Sequence, residues 1–202
     1  MPIIKTDKEL QPRVENDNYP TPIELCRAAL NQIVMFDSRL WPREPQILDP
    51  GSGTGVWGKA ALEIWPHADV TGVELRDLPK PDDYLMVYHG DFLEVPIGGT
   101  YDLVIGNPPF KHAEAFLRRA YDLLQDDGRM LLLLRLAFLE TLKRGRGLWQ
   151  ELPPHLVSVL VQRPSFNGTG GTDATAYAMF YWRKDEIESD LLPQLTWLDW
   201  KE

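Results

Sequence analysis

The chain has 202 residues, a single cysteine, a formal net charge of −9 and a pI of about 5.0. This length fits one domain with a substantial core. The lone Cys26 excludes an intrachain disulfide and a thiolate zinc site, and the four histidines (His67, His89, His112, His155) show no metal spacing. The acidic surplus argues against strong non-specific binding to nucleic acid, which rests on neutralising phosphates.

Residues 1–18 alternate charge with short apolar pieces and lack the apolar run of a signal peptide. They are expected to form a flexible arm. The longest apolar stretch, Met130 to Leu139, is broken by Arg135 and too short to span a bilayer, so a cytoplasmic protein without a membrane partner is expected. Thr21 reads as an N-cap, with Pro22 at the first helical position and Glu24 completing a capping box. The predicted helix runs to about Met35.

A strand over 46–50 carries Asp49 into the glycine loop Gly51-Ser52-Gly53-Thr54-Gly55, and a helix over 55–65 leaves it. Glycines let the backbone approach a ligand and turn sharply into a helix start, whose N–H groups point outward. A dinucleotide fingerprint would need glycine at position 56; Val56 stands there, which disfavours a nicotinamide enzyme. A strand over 69–74 ends in Glu74, where a carboxylate can accept both hydroxyls of a ribose. A strand over 84–88 leads to Asp91, placed to accept from an adenine amino group, with Phe92 beside the ring. The candidate cofactor set is therefore Asp49, Gly51, Ser52, Gly53, Gly55, Glu74, Asp91 and Phe92.

The strand over 102–106 ends in Asn107-Pro108-Pro109-Phe110. The Asn107 side-chain oxygen and the Pro108 carbonyl can accept the two N–H groups of a planar amine, and Phe110 can stack on the ring that bears it. Two prolines fix φ near −65° and remove two backbone donors, so the pocket would present acceptors in a preset shape. A Pro-Pro turn also occurs with no function; the series with the glycine loop and the two carboxylates favours a site.

A helix over 111–125, ended by Asp127-Gly128, precedes a strand over 129–135 so apolar that both faces should be buried. A helix near 137–145 overlaps the basic cluster Lys143, Arg144 and Arg146, either a phosphate contact or a solvated helix end. From Asn107 to Ser165 nine Lys/Arg face six Asp/Glu, so this half is locally basic. Strands over 156–161 and 174–182 flank the loop 162–173, which holds Phe166. The segment 185–202 reads as a tail docked by Trp197 and Trp200. Alternating strands and helices predict an α/β, mostly parallel, doubly wound sheet whose last two strands pair antiparallel.

These motifs resemble those of class I S-adenosylmethionine-dependent methyltransferases, in particular small phage- and prophage-type N6-adenine DNA methyltransferases. The resemblance spans about Tyr19 to Trp182. The segment Asp17-Asn18-Tyr19-Pro20-Thr21-Pro22 resembles the motif that covers the methionine end of the cofactor, implying Tyr19 and Thr21 there along with Asn107. Arg163-Pro164-Ser165-Phe166 and the stretch from Thr172 to Trp182 resemble the C-terminal end of those enzymes, implying that Phe166 faces Phe110 across a target base. The resemblance implies a seven-stranded sheet within a domain over 19–184, S-adenosyl-L-methionine as cofactor, no metal, and methyl transfer to adenine N6 in DNA. Asn107, Pro108, Pro109 and Phe110 would be catalytic; Phe110, Phe166, Lys143, Arg144 and Arg146 would meet the nucleic acid.

Three alternatives stay open. RNA methyltransferases acting on adenine N6 or guanine N2 share the Asn-Pro-Pro-Phe motif. Protein glutamine N5-methyltransferases usually end it in Tyr. A binding module could keep the fold without the chemistry. The chain also departs from the DNA enzymes of this motif order, whose recognition domain, when present, is C-terminal, because almost nothing follows Trp182.

Overall fold

The computed structural model describes residues 20–37, 41–166, 175–184 and 192–201. Tyr19 and residues 167–174 lie outside the described residues. Five parallel strands come first: β1 Gln46–Pro50, β2 Asp69–Glu74, β3 Met86–His89, β4 Tyr101–Gly106 and β5 Leu124–Arg135. β6 Leu156–Leu160 and β7 Tyr177–Arg183 follow, with β7 antiparallel to both β5 and β6. A last strand, β8 Gln194–Leu198, lies parallel to β6. The order across the sheet is β3-β2-β1-β4-β5-β7-β6-β8.

Helices cover both faces. In α1 Ile23–Phe36 the buried Leu25, Cys26, Ala29, Leu30 and Ile33 recur at helical spacing and form one stripe. That stripe and α2 Val56–Ile64 pack on Ile47, Leu103, Leu131 and Leu133. On the opposite face, Phe116, Leu117 and Ala120 of α3 Ala113–Asp122 pack on Leu48, Val104, Met130 and Leu132. Alternate residues of β5 thus enter different cores, which is why its sequence is continuously apolar. No helix among the described residues is long and apolar enough to cross a membrane.

The structure departs from the sequence reading in four places. Pro22, extended at ψ 136°, takes the cap position of α1, and its carbonyl accepts from the Leu25 and Cys26 amides, so the Thr21 side chain caps nothing. α3 stops at Asp122, and β5 begins at Leu124, before Asp127-Gly128. Gly128 belongs to an irregularity in the β4–β5 pairing, where a Cβ would stand 2.9 Å from the carbonyls of Gln125 and Tyr101. The helix expected near 137–145 divides into a turn of 3-10 helix at Leu136–Leu139, α4 Leu142–Arg146 and α5 Leu148–Glu151. Finally, part of the supposed tail is an eighth strand: Trp200 is buried and donates to the Gln162 carbonyl at 2.7 Å, whereas Trp197 is exposed.

Toward the end of the strands remote from the glycine loop, Asp37 follows α1 and meets Arg129 Nε at 2.7 Å and the Tyr181 hydroxyl at 2.7 Å. Arg129 lies over the Trp41 ring at 4.2 Å. All but Trp41 of these side chains are buried.

Candidate functional site

β1 to β3 are laid down toward one edge of the sheet and β4 and β5 toward the other, so the order reverses between β1 and β4. In open α/β sheets, ligands bind outside the C-terminal strand ends at such a reversal. A cavity of about 600 Å³ opens there. Its wall includes Gly51, Ser52 and Gly53 after β1, Glu74 at the end of β2 and Arg76 just beyond it, Asp91 and Phe92 after β3, and Asn107 and Pro109 after β4. Pro20 and Thr21, ahead of α1, close another side. Residues distant in sequence, and expected at one site, are brought together.

The loop contributes shape more than donors. The Gly51 and Ser52 amides both bond to the Val73 carbonyl, at 2.8 and 2.9 Å, the Gly53 amide to Glu74 Oε2 at 2.7 Å, and the Gly55 amide to the Ser52 carbonyl. Two other polar groups on the wall are buried without a hydrogen-bond partner among the described residues: Ser52 Oγ and Trp57 Nε1. Gly55 and Asp49 do not line the cavity. Gly55 turns the chain into α2 beside Pro81, and Asp49 is sealed beneath the loop.

Glu74 is 5% exposed and its carboxylate is fully engaged. Oε1 accepts from the Arg76 amide and Nε at 2.9 and 2.7 Å; Oε2 accepts from Gly53 and, at 3.2 Å, from Arg76 Nη2. Burial disfavours the charge, but these hydrogen bonds and the adjacent guanidinium outweigh it and hold the carboxyl below its ordinary range. A carboxylate has about four acceptor positions, so ribose hydroxyls would have to take those used by the Arg76 side chain. Asp91 keeps more freedom: Oδ1 accepts from the Leu93 amide at 2.9 Å. Phe92 is a core residue, tilted on Phe116 at 4.8 Å, with Arg119 on its ring.

Beneath the loop, the Tyr84 hydroxyl donates to Asp49 Oδ2 at 2.5 Å and accepts from the Gly58 amide at 3.1 Å. The ring lies against bare backbone: a Cβ on Gly58 would stand 2.4 Å from it. Burial pushes the Asp49 carboxyl up to about 7, opposed by the Tyr84 hydrogen bond and reinforced by the charge of Glu74. Sequence reasoning missed Tyr84 and Gly58, and no local signal marks a tyrosine 35 residues from Asp49 as its partner. It also missed Arg76, although a guanidinium two residues from a strand-end carboxylate was open to notice.

Asn107 follows β4 and is half-buried on the cavity wall. Its Nδ2 donates to Thr21 Oγ1 at 3.3 Å, which orients the amide and turns its oxygen the other way. Thr21, expected at the cofactor and as a helix cap, is thus a partner of Asn107. Pro108 is buried; Pro109 and the neighbouring Lys111 and His112 line the cavity. Phe110 packs on Tyr177 at 5.6 Å, and Tyr177 meets Phe166 edge-on at 5.2 Å. Phe166 is 6% exposed and belongs to the core. The guanidinium of Arg135 lies over the Phe110 ring at 4.3 Å. Lys143 and Arg146 of α4 are exposed, while Arg144 covers the Phe138 ring at 4.5 Å and bonds the Glu140 carbonyl. None of the three lines the cavity.

No protein-family model matches the chain. A tRNA1(Val) (adenine(37)-N6)-methyltransferase of Actinobacillus pleuropneumoniae is 34% identical over 89 residues, covering 38% of this chain and 37% of that protein. The match thus spans little more than a third of that relative. Among solved structures, one assigned to the class I S-adenosylmethionine-dependent methyltransferases, from Listeria monocytogenes, superposes with a TM-score of 0.70 at 15% identity, over 94% of this chain and 69% of that one. The M protein of the type I restriction enzyme EcoKI superposes with a TM-score of 0.59 at 16% identity, over 83% and 44%. The fold is that of the class I methyltransferases, a mostly parallel sheet with β7 antiparallel as expected, although with eight strands rather than seven.

Proposed function

We infer that this methyltransferase fold carries S-adenosylmethionine-dependent methyl transfer to the exocyclic amine of a nucleobase, adenine N6 by preference. The observation that carries the reading is Asn107, held by Thr21 at the mouth of a cavity it shares with Glu74 and Asp91. The cavity suits the cofactor on its own terms. Its two strand-end carboxylates match the hydroxyls and amine of an adenosine, and Ser52 Oγ and Trp57 Nε1 are buried polar groups that a polar ligand would complete. Loop amides consumed internally suit a ligand without phosphates.

When bound, S-adenosylmethionine supplies a methyl group already activated by sulfonium charge, so the protein's task is orientation and electrostatics. An aromatic amine is a weak nucleophile because its lone pair is delocalised into the ring. Two acceptors, Asn107 Oδ1 and the Pro108 carbonyl, favour pyramidal character at that nitrogen and stabilise the positive charge it develops. Phe110 stacks on the base, offsetting part of the few kcal/mol that unstacking costs in a duplex.

For the polymer, DNA is favoured by the segments around Tyr19 to Pro22, Arg163 to Phe166 and Thr172 to Trp182. RNA is the second reading, carried by the similarity to the tRNA enzyme. Incubating the protein with radiolabelled donor and separate DNA, RNA and protein pools tests both. Label recovered as N6-methyladenine in one nucleic acid supports the reading and selects the polymer; label on protein glutamine, or in no pool, overturns it.

A further inference from the structure

Arg135 ends β5, next to the strand that delivers Asn107, and its guanidinium covers the ring of Phe110 at 4.3 Å. That ring is the surface assigned to the target base. Arg135 is half-buried, its Nε is buried without a hydrogen-bond partner, and no carboxylate pairs with it among the described residues. Every other described arginine of the locally basic half bonds an oxygen acceptor: Arg118 with Glu114 and Glu151, Arg119 with the Leu93 and Val95 carbonyls, Arg129 with Asp37, and Arg144 with the Glu140 carbonyl, except Arg146 and Arg163 at the surface. A guanidinium brought to a strand end, desolvated at Nε and left without an anion, is arranged to receive one. Its planar fork matches phosphate geometry better than an ammonium would.

We propose that Arg135 is the phosphate ligand of the target nucleotide, resting on Phe110 until the base arrives. The inference rests on the nucleobase reading above and narrows it to an acceptor that carries its own phosphates. Base stacking on an aromatic ring is the stronger contact, so an entering base displaces the guanidinium. The displaced Arg135 gains charge-assisted hydrogen bonds to the flanking phosphate, and its Nε gains a partner. A glutamine side chain offers no such anion, so for a protein acceptor Arg135 would leave Phe110 without compensation. Lys111, next in sequence to Phe110, lines the cavity and adds a positive charge there.

The test is binding of adenine-containing single-stranded DNA and RNA oligonucleotides of one base sequence, by fluorescence anisotropy across salt concentration. Arg135→Ala should weaken binding about tenfold and make the dependence of log affinity on log salt shallower by about 0.7, the share of one phosphate on a single strand. Arg135→Lys should keep the slope with intermediate affinity. Arg135→Gln keeps a planar group over Phe110 without the charge and should behave like Arg135→Ala, which preserves the test if the alanine variant fails to fold. Lost affinity with an unchanged slope would mean that Arg135 only packs on Phe110 and would overturn the proposal, as would faster methyl transfer by Arg135→Ala. Methyl transfer by the unaltered protein to both oligonucleotides, a glutamine peptide and no acceptor separates the two claims. Transfer to the peptide alone defeats the nucleobase reading and Arg135 with it, whereas transfer to nucleic acid with unmoved slopes defeats Arg135 alone.

Discussion

Asp37 and Asp49 are buried equally, at 1% and 0% exposure, yet their surroundings differ in kind. Asp37 has Arg129 and Tyr181 at 2.7 Å and Arg183 at 4.0 Å, so its charge is met by cations. Asp49 has a single phenol, and its Oδ1 has no partner among the described residues. A buried carboxylate without a counter-charge is costly, and the group escapes by holding a proton. Away from the cavity the molecule is closed by a completed ionic cluster; beneath the cavity it is left with capacity to spare. The difference separates a charge-compensated end of the sheet from an uncompensated one beneath the cavity.

Four substitutions bear on that contrast. Asp37→Ala strands the buried Arg129 and should cost about 3–5 kcal/mol, seen as a fall of roughly 6–20 °C in melting temperature. Its cofactor affinity, if the variant is measured below its transition, should stay within about twofold; a large loss would show that the two ends are coupled. Asp49→Asn should act through pH. The folded carboxyl titrates near 7, above the ordinary 3.8. Asp49 therefore contributes stability that is complete below about pH 4 and lost as pH rises through 7, in total of order 4 kcal/mol. Across that window the unaltered protein should lose melting temperature relative to Asp49→Asn, and parallel profiles would contradict the protonated carboxyl.

At the cavity itself the effects should fall on function. Asn107→Ala removes an acceptor for the target amine and should lower turnover roughly 10²–10³-fold, with cofactor affinity within a few-fold by calorimetry. Full turnover would leave the motif a structural turn. Glu74→Ala should weaken S-adenosylmethionine by about one to two orders of magnitude, corresponding to roughly 1.5–3 kcal/mol for a hydrogen bond to a charged group. The expected loss is the smallest of the four because Arg76 and Gly53 already share that carboxylate. An unchanged dissociation constant would remove Glu74 from the site.

What was legible in the sequence was what short-range pattern encodes. Apolar runs marked β1, β4 and the buried half of β5, and the glycine loop and the Asn-Pro-Pro-Phe turn fell at strand ends where the sheet brings them together. Long-range partnerships were not legible. Thr21 carries every local mark of a helix cap, but its hydroxyl serves Asn107, 86 residues away. Glu74 reads as an open acceptor until the fold delivers the Gly53 amide, 21 residues away, to it. β8 is short and lies at an edge, and although Gln194 to Trp197 alternate polar and apolar residues, the pairing with β6 leaves Leu195 and Trp197 exposed rather than buried.

The hydrogen bonds of the glycine loop have a consequence for competing metabolites. Adenine nucleotides share the adenosine half of the proposed donor and differ in the other half, a polyanion in place of a sulfonium amino acid. In nucleotide-binding sheets the loop after the first strand offers unpaired amides that compensate phosphate for lost water. Here the amides of Gly51, Ser52, Gly53 and Gly55 are already committed to Val73, Glu74 and Ser52. A phosphate chain brought to this loop would be stripped of solvent beside a carboxylate, with those four donors unavailable to it. The loop's internal bonding thus leaves these four amides unable to compensate a phosphate for its lost water, so a phosphate tail should gain little affinity from them.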